Sequence, residues 1–156
     1  MEAYLPGEKT MKKLSASIVV LAICLFAGSS AFAQASEPVM PDYSNWEKDS
    51  RNFTGTLNGK TVILPVGLYM HTDLVNLKRH FLAIVFNENN ESWFAFLTEE
   101  TGEKHPDGTI TTKSRNYYLF ENRNSNWEFV RDFSNSTDVD KDGQDFIADR
   151  YGLISD

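Results

Sequence analysis

Residues 81–97 read FLAIVF-NENNES-WFAFL, and this stretch decides the fold. It contains two runs of consecutive apolar residues, 81–86 and 93–97, which have the length of strands that are covered on both faces. The polar residues between the runs, Asn87 to Ser92, are of the types that favour turns. The stretch therefore predicts an antiparallel hairpin with two buried strands.

Two more hairpins are predicted on either side of this one. Residues 53–57 and 60–64 enclose Asn58-Gly59, a pair that accepts the positive φ angles of a type I′ turn. Residues 117–120 and 127–133 are separated by a polar segment rich in asparagine, and aromatic residues alternate along the second of these runs. The three hairpins together account for six strands.

The connections between the hairpins contain cap and turn residues. Thr72 or Asp73 is a suitable N-cap for a short helix over residues 71–80. Residues 99–108 contain Thr-Gly and Pro-Asp-Gly, which favours a turn-rich connection ahead of a strand at 109–112. Six or seven short strands, paired mainly with their sequence neighbours, predict an all-β or β-rich α+β domain. We expect a small antiparallel β-sandwich or barrel with at most one or two short helices.

The N-terminus has the pattern of a bacterial-type signal peptide. After Met11, two lysines precede an apolar run over residues 18–27, which leads to the small-x-small sequence Ala31-Phe32-Ala33. We predict a signal peptide over residues 11–33, an upstream extension over residues 1–10 and a periplasmic or secreted protein. The alternative is a retained membrane anchor, which needs about 20 apolar residues.

Cleavage after residue 33 leaves a polar lead-in over residues 34–51 and a single β-rich domain over residues 52–156. The only cysteine, Cys24, lies in the signal peptide, so the mature chain has no thiol for a disulfide, a nucleophile or a metal. The mature chain has 12 basic and 20 acidic residues, which is a formal net charge of −8. Such a surface repels nucleic acid and anionic lipid, and it suits cations and basic proteins.

Residues 138–149, DVDKDGQDFIAD, contain the one motif with a recognisable chemistry. Carboxylates at positions 1, 3, 5 and 12 and a glycine at position 6 have the spacing of a calcium loop, in which alternate residues point inward. The predicted calcium ligands are Asp138, Asp140, Asp142, the backbone carbonyl of Gln144 and Asp149, with Asp145 as an extra donor. The alternative is a solvated acidic turn, for which aspartate and glycine are also common.

The motif resembles the calcium-binding loops of EF-hand proteins and of FG-GAP repeats. The FG-GAP-like loop is the more similar, because residues 127–133 before the motif are predicted as a strand and residues 144–147 lead towards another. The resemblance implies a structural calcium ion that holds residues 146–154 on the sheet.

The remaining candidate residues have no local signature of a site. The histidines lack the spacing of two metal ligands on one helix face; they are His71, His80 and His105. Three glutamates of a polar segment are interpreted as solvated charges; they are Glu99, Glu100 and Glu103. Five aromatic residues are candidates either for the core or for a sugar- or peptide-binding face; they are Tyr43, Trp46, Trp93, Tyr117 and Trp127.

These features predict an exported, non-enzymatic binding protein whose partner is a protein or a cell-envelope component. One version is a periplasmic inhibitor of the immunity type that neutralises a basic toxin, which rests on charge, size and compartment. The competing class is a small periplasmic hydrolase assembled from dispersed Asp, Glu and His residues.

Overall fold

The computed structural model describes residues 36–156, so the predicted signal peptide and upstream extension lie outside the described residues. Within residues 36–156 the chain forms one seven-stranded antiparallel sheet, curled into a half-barrel, and one α-helix. The elements are β1 (Glu47–Leu57), β2 (Lys60–Asp73), β3 (Lys78–Phe86), β4 (Ser92–Lys104), β5 (Ile110–Arg123), β6 (Asn126–Asp132), α1 (Val139–Tyr151) and β7 (Leu153–Ser155). The prediction of a mainly antiparallel β domain of six or seven strands with at most one or two short helices is confirmed.

The strand order in the sheet is β6-β5-β4-β3-β2-β1-β7. Strands β1 to β6 form a meander in which each strand pairs with the next, and β7 pairs antiparallel with β1 at the far edge. Because α1 follows β6 at one edge and precedes β7 at the other, the helix has to cross one face of the sheet. We call this side the helix face and the other side the opposite face.

The three predicted hairpins are confirmed, and their turns have the expected backbone. Asn58 and Gly59 adopt φ angles of 49° and 82° between β1 and β2. Asn124 and Ser125 adopt φ angles of 52° and 65° between β5 and β6. Two consecutive positive φ angles match the right-handed twist of the paired strands, which explains why these short turns set the register.

The predicted helix over residues 71–80 is wrong. These residues form the end of β2, a turn and the start of β3. Asp73 Oδ1 accepts hydrogen bonds from the backbone N–H groups of Val75 and Asn76, both at 3.0 Å, and Leu77 adopts a φ of 52°. The aspartate thus closes a tight turn instead of capping a helix.

Two predicted boundaries are also wrong. Strand β4 continues to Lys104, so most of residues 99–108 are extended, and β1 begins at Glu47, inside the predicted lead-in. A bulge at Thr101 and Gly102 lets β4 continue, and the Gly102 N–H donates to the carbonyl of Leu77 at 2.6 Å. Within residues 99–108, the turn that the sequence predicts is confined to the residues after Lys104.

Both faces of the central strands are covered, as their continuous apolar sequences predict. The helix face buries a cluster that includes Phe53, Leu64, Val66, Val85, Phe94, Phe96, Leu119, Ile147 and Leu153. The opposite face buries Leu82, Ile84, Ala95, Leu97 and Phe120. Residues 36–46, which we call the N-terminal segment, pack onto the opposite face through Met40, Tyr43 and Trp46. Across residues 36–156, no helix has the length and apolar character that a membrane span requires.

Candidate functional site

The predicted calcium-loop conformation of residues 138–149 is wrong, because residues 139–151 form α1. Asp138 is the N-cap, and its Oδ1 accepts the backbone N–H of Lys141 at 3.1 Å. Asp140 and Asp142 lie in the first turn, where carboxylates interact favourably with the helix dipole. Lys141 Nζ pairs with Asp145 at 2.6 Å, one turn further on. The aspartates that suggest a calcium loop therefore also begin a helix.

The predicted calcium ligands do not converge in this structure. Residues two apart on a helix do not face each other, and several of these side chains have protein partners. Asp140 Oδ1 accepts from Gln144 Nε2 at 3.2 Å, and Asp142 accepts from the hydroxyl of Ser136. In the described part of the chain, no group of three or more His, Cys, Asp or Glu residues is placed to hold a metal ion. Calcium binding stays a prediction.

The apolar residues of α1 give a periodic signal that the acidic motif obscures. Val139, Phe146, Ile147 and Tyr151 are spaced at i, i+7, i+8 and i+12, and all four pack on the helix face. The helix ends at Gly152, which adopts a φ of 68° and donates its N–H to the carbonyl of Ala148 at 2.9 Å.

The aromatic candidates divide between the two faces of the sheet. Trp93 and Tyr117 belong to the helix face, where the Trp93 ring lies 5.2 Å from that of Tyr151. Tyr43, Trp46 and Trp127 lie on the opposite face. The structure brings Tyr43 and Trp127 together at one cavity, although they are far apart in the sequence.

This cavity is an open groove of about 620 Å³ between two walls. One wall is residues 39–44 of the N-terminal segment, and the other is residues 125–127 at the turn between β5 and β6. We refer to it as the groove. Its volume falls in the range of roughly 300 to 1,000 Å³ that is typical of small-molecule sites.

The N-terminal wall is held on the sheet by contacts between aromatic side chains. The rings of Tyr43 and Tyr69 meet edge to face at 4.8 Å. The backbone N–H of Trp46 donates to the carbonyl of Tyr43 at 3.1 Å, and the Trp46 ring stacks on His71 at 5.7 Å. These contacts explain how a segment without regular secondary structure holds one defined position.

The second wall is the start of β6, which lies beside a buried polar side chain of β5. Trp127 is the second residue of β6 and pairs across the strands with Asn122 of β5. The side-chain Oδ1 of Asn122 is buried and has no hydrogen-bond partner within residues 36–156. A buried acceptor without a partner lowers the free energy of unfolding. The Asn122 amide is therefore an unsatisfied polar group beside Trp127.

The electrostatics of the groove are set by Asp42. Hydrogen bonds from the backbone and side chain of Ser44 hold the pKa of this carboxyl below its usual value, so Asp42 is ionised at neutral pH. Among the described residues that line the groove, Asp42 is the single charged side chain. The groove therefore has one negative charge in a lining of apolar, aromatic, hydroxyl and amide groups.

A second cavity, of about 170 Å³, lies between α1 and the sheet. Its lining includes Phe53, Phe94, Phe96, Ile147 and Leu153, which are core residues. This volume lies below the usual range of ligand sites. We interpret it as imperfect packing under the helix.

The interpretation of the glutamates as solvated charges is wrong for Glu100, whose exposed fraction is 5%. Glu100 Oε2 accepts from Arg79 at 2.6 Å, and Glu100 Oε1 accepts from Arg115 at 2.8 Å. The two arginines belong to β3 and β5, the strands on either side of β4. Glu100 is therefore part of a buried ion pair that joins three neighbouring strands.

Histidine spacing along the chain did not reveal that two of the histidines are neighbours. His71 and His80 are direct cross-strand partners on β2 and β3, with ring centroids 6.4 Å apart. His80 Nε2 lies 3.6 Å from a carboxylate oxygen of Glu99. Correct pairing of β2 with β3, in place of the predicted helix, would have placed these residues together.

Comparisons with known proteins gave no match: no family model, no curated protein and no solved structure is significantly similar to this chain. The groove and its surroundings are therefore the basis for a functional proposal. Within residues 36–156, no histidine or glutamate lines the groove or the cavity under α1.

Proposed function

We propose that this chain is an exported, non-enzymatic binding protein and that the groove is its ligand site. The observation that carries the proposal is an open groove of about 620 Å³ whose lining includes both Tyr43 and Trp127. Sites for small ligands are typically concave, mostly apolar or aromatic, and equipped with a few polar groups. The groove has each of these properties.

The lining favours binding over catalysis. A general acid or base works best when its pKa lies near the working pH. Asp42 has a lowered pKa and a fixed role in the turn with Ser44, so it stays a carboxylate. The other polar side-chain groups of the described lining are hydroxyls, an amide and the indole N–H of Trp127, all of which can hydrogen-bond to a ligand.

A component of the cell envelope is the partner that fits the compartment. The predicted signal peptide over residues 11–33 directs the chain to the envelope. Val39, at the edge of the groove, is 83% exposed, which adds apolar surface where a ligand would lie. Exposed apolar surface beside a concave site is typical of recognition surfaces.

Co-sedimentation of the mature domain, residues 34–156, with the envelope fraction of the producing cells tests this proposal. We expect saturable binding that Trp127→Ala and Tyr43→Ala each weaken about tenfold or more, because both remove an aromatic anchor. Trp93→Phe is the matched control, since Trp93 lies on the helix face. Equal binding by the wild type and both groove variants would overturn the proposal.

The immunity-type inhibitor is a second candidate, favoured by the acidic outer surface of α1. Asp138, Asp145 and Asp149 are exposed at this surface. Against a basic toxin, this version predicts an association rate that falls with rising salt and with the double change Asp145→Asn and Asp149→Asn. Association rates that stay unchanged at low salt would contradict it.

A further inference from the structure

Tyr43 and Trp127 supply the aromatic surface of the groove. Tyr43 and Trp127 are both half-buried, so each ring is supported by the protein and keeps an accessible part. Tyrosine and tryptophan combine an apolar body with a polar group that forms hydrogen bonds. One face of a pyranose ring has the complementary character, because its C–H groups form an apolar patch bounded by hydroxyls.

The polar groups of the groove fit the hydroxyls of such a ring. Asp42 and Ser44 stand on one wall, and Ser125 and Asn126 stand on the other. A carboxylate has about four acceptor sites, so Asp42 keeps acceptor capacity after it binds the Ser44 N–H at 3.0 Å. The amide of Asn126 supplies both donors and an acceptor. Planar groups of these two kinds pair with adjacent hydroxyls of a sugar.

The charge of the site selects against other ligands. No lysine or arginine occurs among the lining residues within 36–156, and Asp42 is ionised, so this lining disfavours phosphate and carboxylate groups. The net charge of −8 over residues 34–156 acts in the same direction. A single carboxylate is also too little charge to select a basic peptide.

We infer that the groove binds a neutral saccharide, with sugar rings packed on Tyr43 and Trp127 and hydroxyls bonded to Asp42 and Asn126. This inference rests on the proposed function and specifies its ligand class. Saccharides are abundant in cell envelopes, which is the compartment that the signal sequence predicts.

The inference is tested by titrating residues 34–156 with chitotetraose, cellotetraose and maltotetraose. Calorimetry and tryptophan fluorescence measure the binding. Tetralysine is the probe for a basic peptide. We expect one of the neutral tetrasaccharides to bind, and Trp127→Ala to weaken its binding about tenfold or more. Trp127→Phe keeps a ring, so it should retain most of the affinity while the fluorescence response disappears. Trp93→Phe should leave both signals intact.

Asp42→Asn separates the two ligand classes. A neutral saccharide should bind this variant about three- to tenfold more weakly but still measurably, because the amide oxygen accepts hydrogen bonds less strongly than the carboxylate does. Binding of tetralysine that Asp42→Asn abolishes would overturn the saccharide inference in favour of a basic peptide. Saccharide binding that is insensitive to Trp127→Ala would also overturn it.

The same variants distinguish failure of this inference from failure of the proposed function. If none of the tetrasaccharides binds while Trp127→Ala still reduces co-sedimentation with the envelope, the saccharide inference is wrong and the groove remains the ligand site. If Trp127→Ala leaves co-sedimentation unchanged, both are wrong.

Discussion

Tyr43 and Tyr69 meet edge to face, with ring centroids 4.8 Å apart, and this contact joins the N-terminal segment to the second strand of the sheet. Tyr69 lies on the opposite face, and Lys48 Nζ sits 5.7 Å from its ring centroid. Because the N-terminal segment forms one wall of the groove, the position of that wall depends on Tyr69.

Replacement of Tyr69 by alanine should loosen the N-terminal segment. We expect faster amide exchange over residues 36–46 and a loss of about 2 kcal/mol of unfolding free energy, less than for a fully buried ring. Tyr69→Phe keeps the ring and should behave like the wild type. Hydrogen exchange with mass spectrometry makes the measurement, and unchanged exchange over residues 36–46 in Tyr69→Ala would contradict this role.

Gly143→Ala distinguishes a helix from a calcium loop. A Cβ atom at Gly143 meets no heavy atom within 4 Å, and the residue lies inside α1. Alanine should therefore raise the unfolding free energy by about 0.5 to 1 kcal/mol, since glycine has more freedom in the unfolded chain. In a calcium loop, the glycine at position 6 makes a sharp turn, and the same change would destabilise. Urea denaturation of the two proteins decides between these outcomes.

Calcium should leave the midpoint of thermal unfolding unchanged if the aspartates of α1 are already satisfied by hydrogen bonds and ion pairs within the protein. Asp138, Asp140, Asp142 and Asp145 all have protein partners in the structure. Thermal unfolding in chelator and in millimolar calcium measures the difference, because a ligand that binds only the native state raises the midpoint. A rise that Asp140→Ala and Asp142→Ala remove would establish the predicted calcium site.

Glu100→Gln should be among the most destabilising single changes in the sheet. It removes the carboxylate that pairs with Arg79 and Arg115, and all three side chains are at most 15% exposed. Loss of one partner from such a group leaves charges poorly compensated, at a cost of about 3 kcal/mol. Glu99→Gln is the control, because Glu99 is 36% exposed on the neighbouring position of β4. If Glu100→Gln, like Glu99→Gln, unfolds at the same urea concentration as the wild type, the structural role of Glu100 is contradicted.

Glu121 should contribute to the loss of stability in acid. Burial raises the pKa of this carboxyl, but hydrogen bonds from Arg150 and Arg123 outweigh that effect and hold the pKa below its usual value of 4.5. The unfolded chain then binds the proton more tightly, so the contribution is complete above pH 4.5 and is lost as the pH falls through the lowered value. Glu121→Gln should flatten the acid limb of a stability profile, whereas Glu128→Gln should not. If the unfolding free energy of Glu121→Gln falls with decreasing pH as steeply as that of the wild type, Glu121 does not have this role.

The hairpins of this fold follow from local chemistry, which explains why the sequence predicts them. Asn58-Gly59 determines a turn within two residues, and the apolar runs at 81–86 and 93–97 lie on either side of one polar turn. Neighbouring strands then pair without any long-range information. A meander of six strands contains little else, so the fold class is predictable from single segments.

The features that the sequence did not reveal depend on contacts between distant residues. Strand β4 extends through Glu100 because Arg79 and Arg115 reach that position from β3 and β5. Residues 138–149 satisfy the spacing of a calcium loop and the capping rules of a helix alike, and burial of Ile147 on the sheet decides for the helix. The groove joins the N-terminal segment to the β5–β6 turn, and no local pattern connects those two parts of the chain.

The affinity of the mature domain for the envelope fraction, with and without Trp127→Ala, tests the central claim most directly. The proposed function predicts saturable binding by residues 34–156 and a dissociation constant about tenfold higher or more for the variant, because the proposal makes Trp127 an aromatic anchor of the groove. The same dissociation constant for both proteins, with the fold intact, would contradict the assignment of the groove as the ligand site.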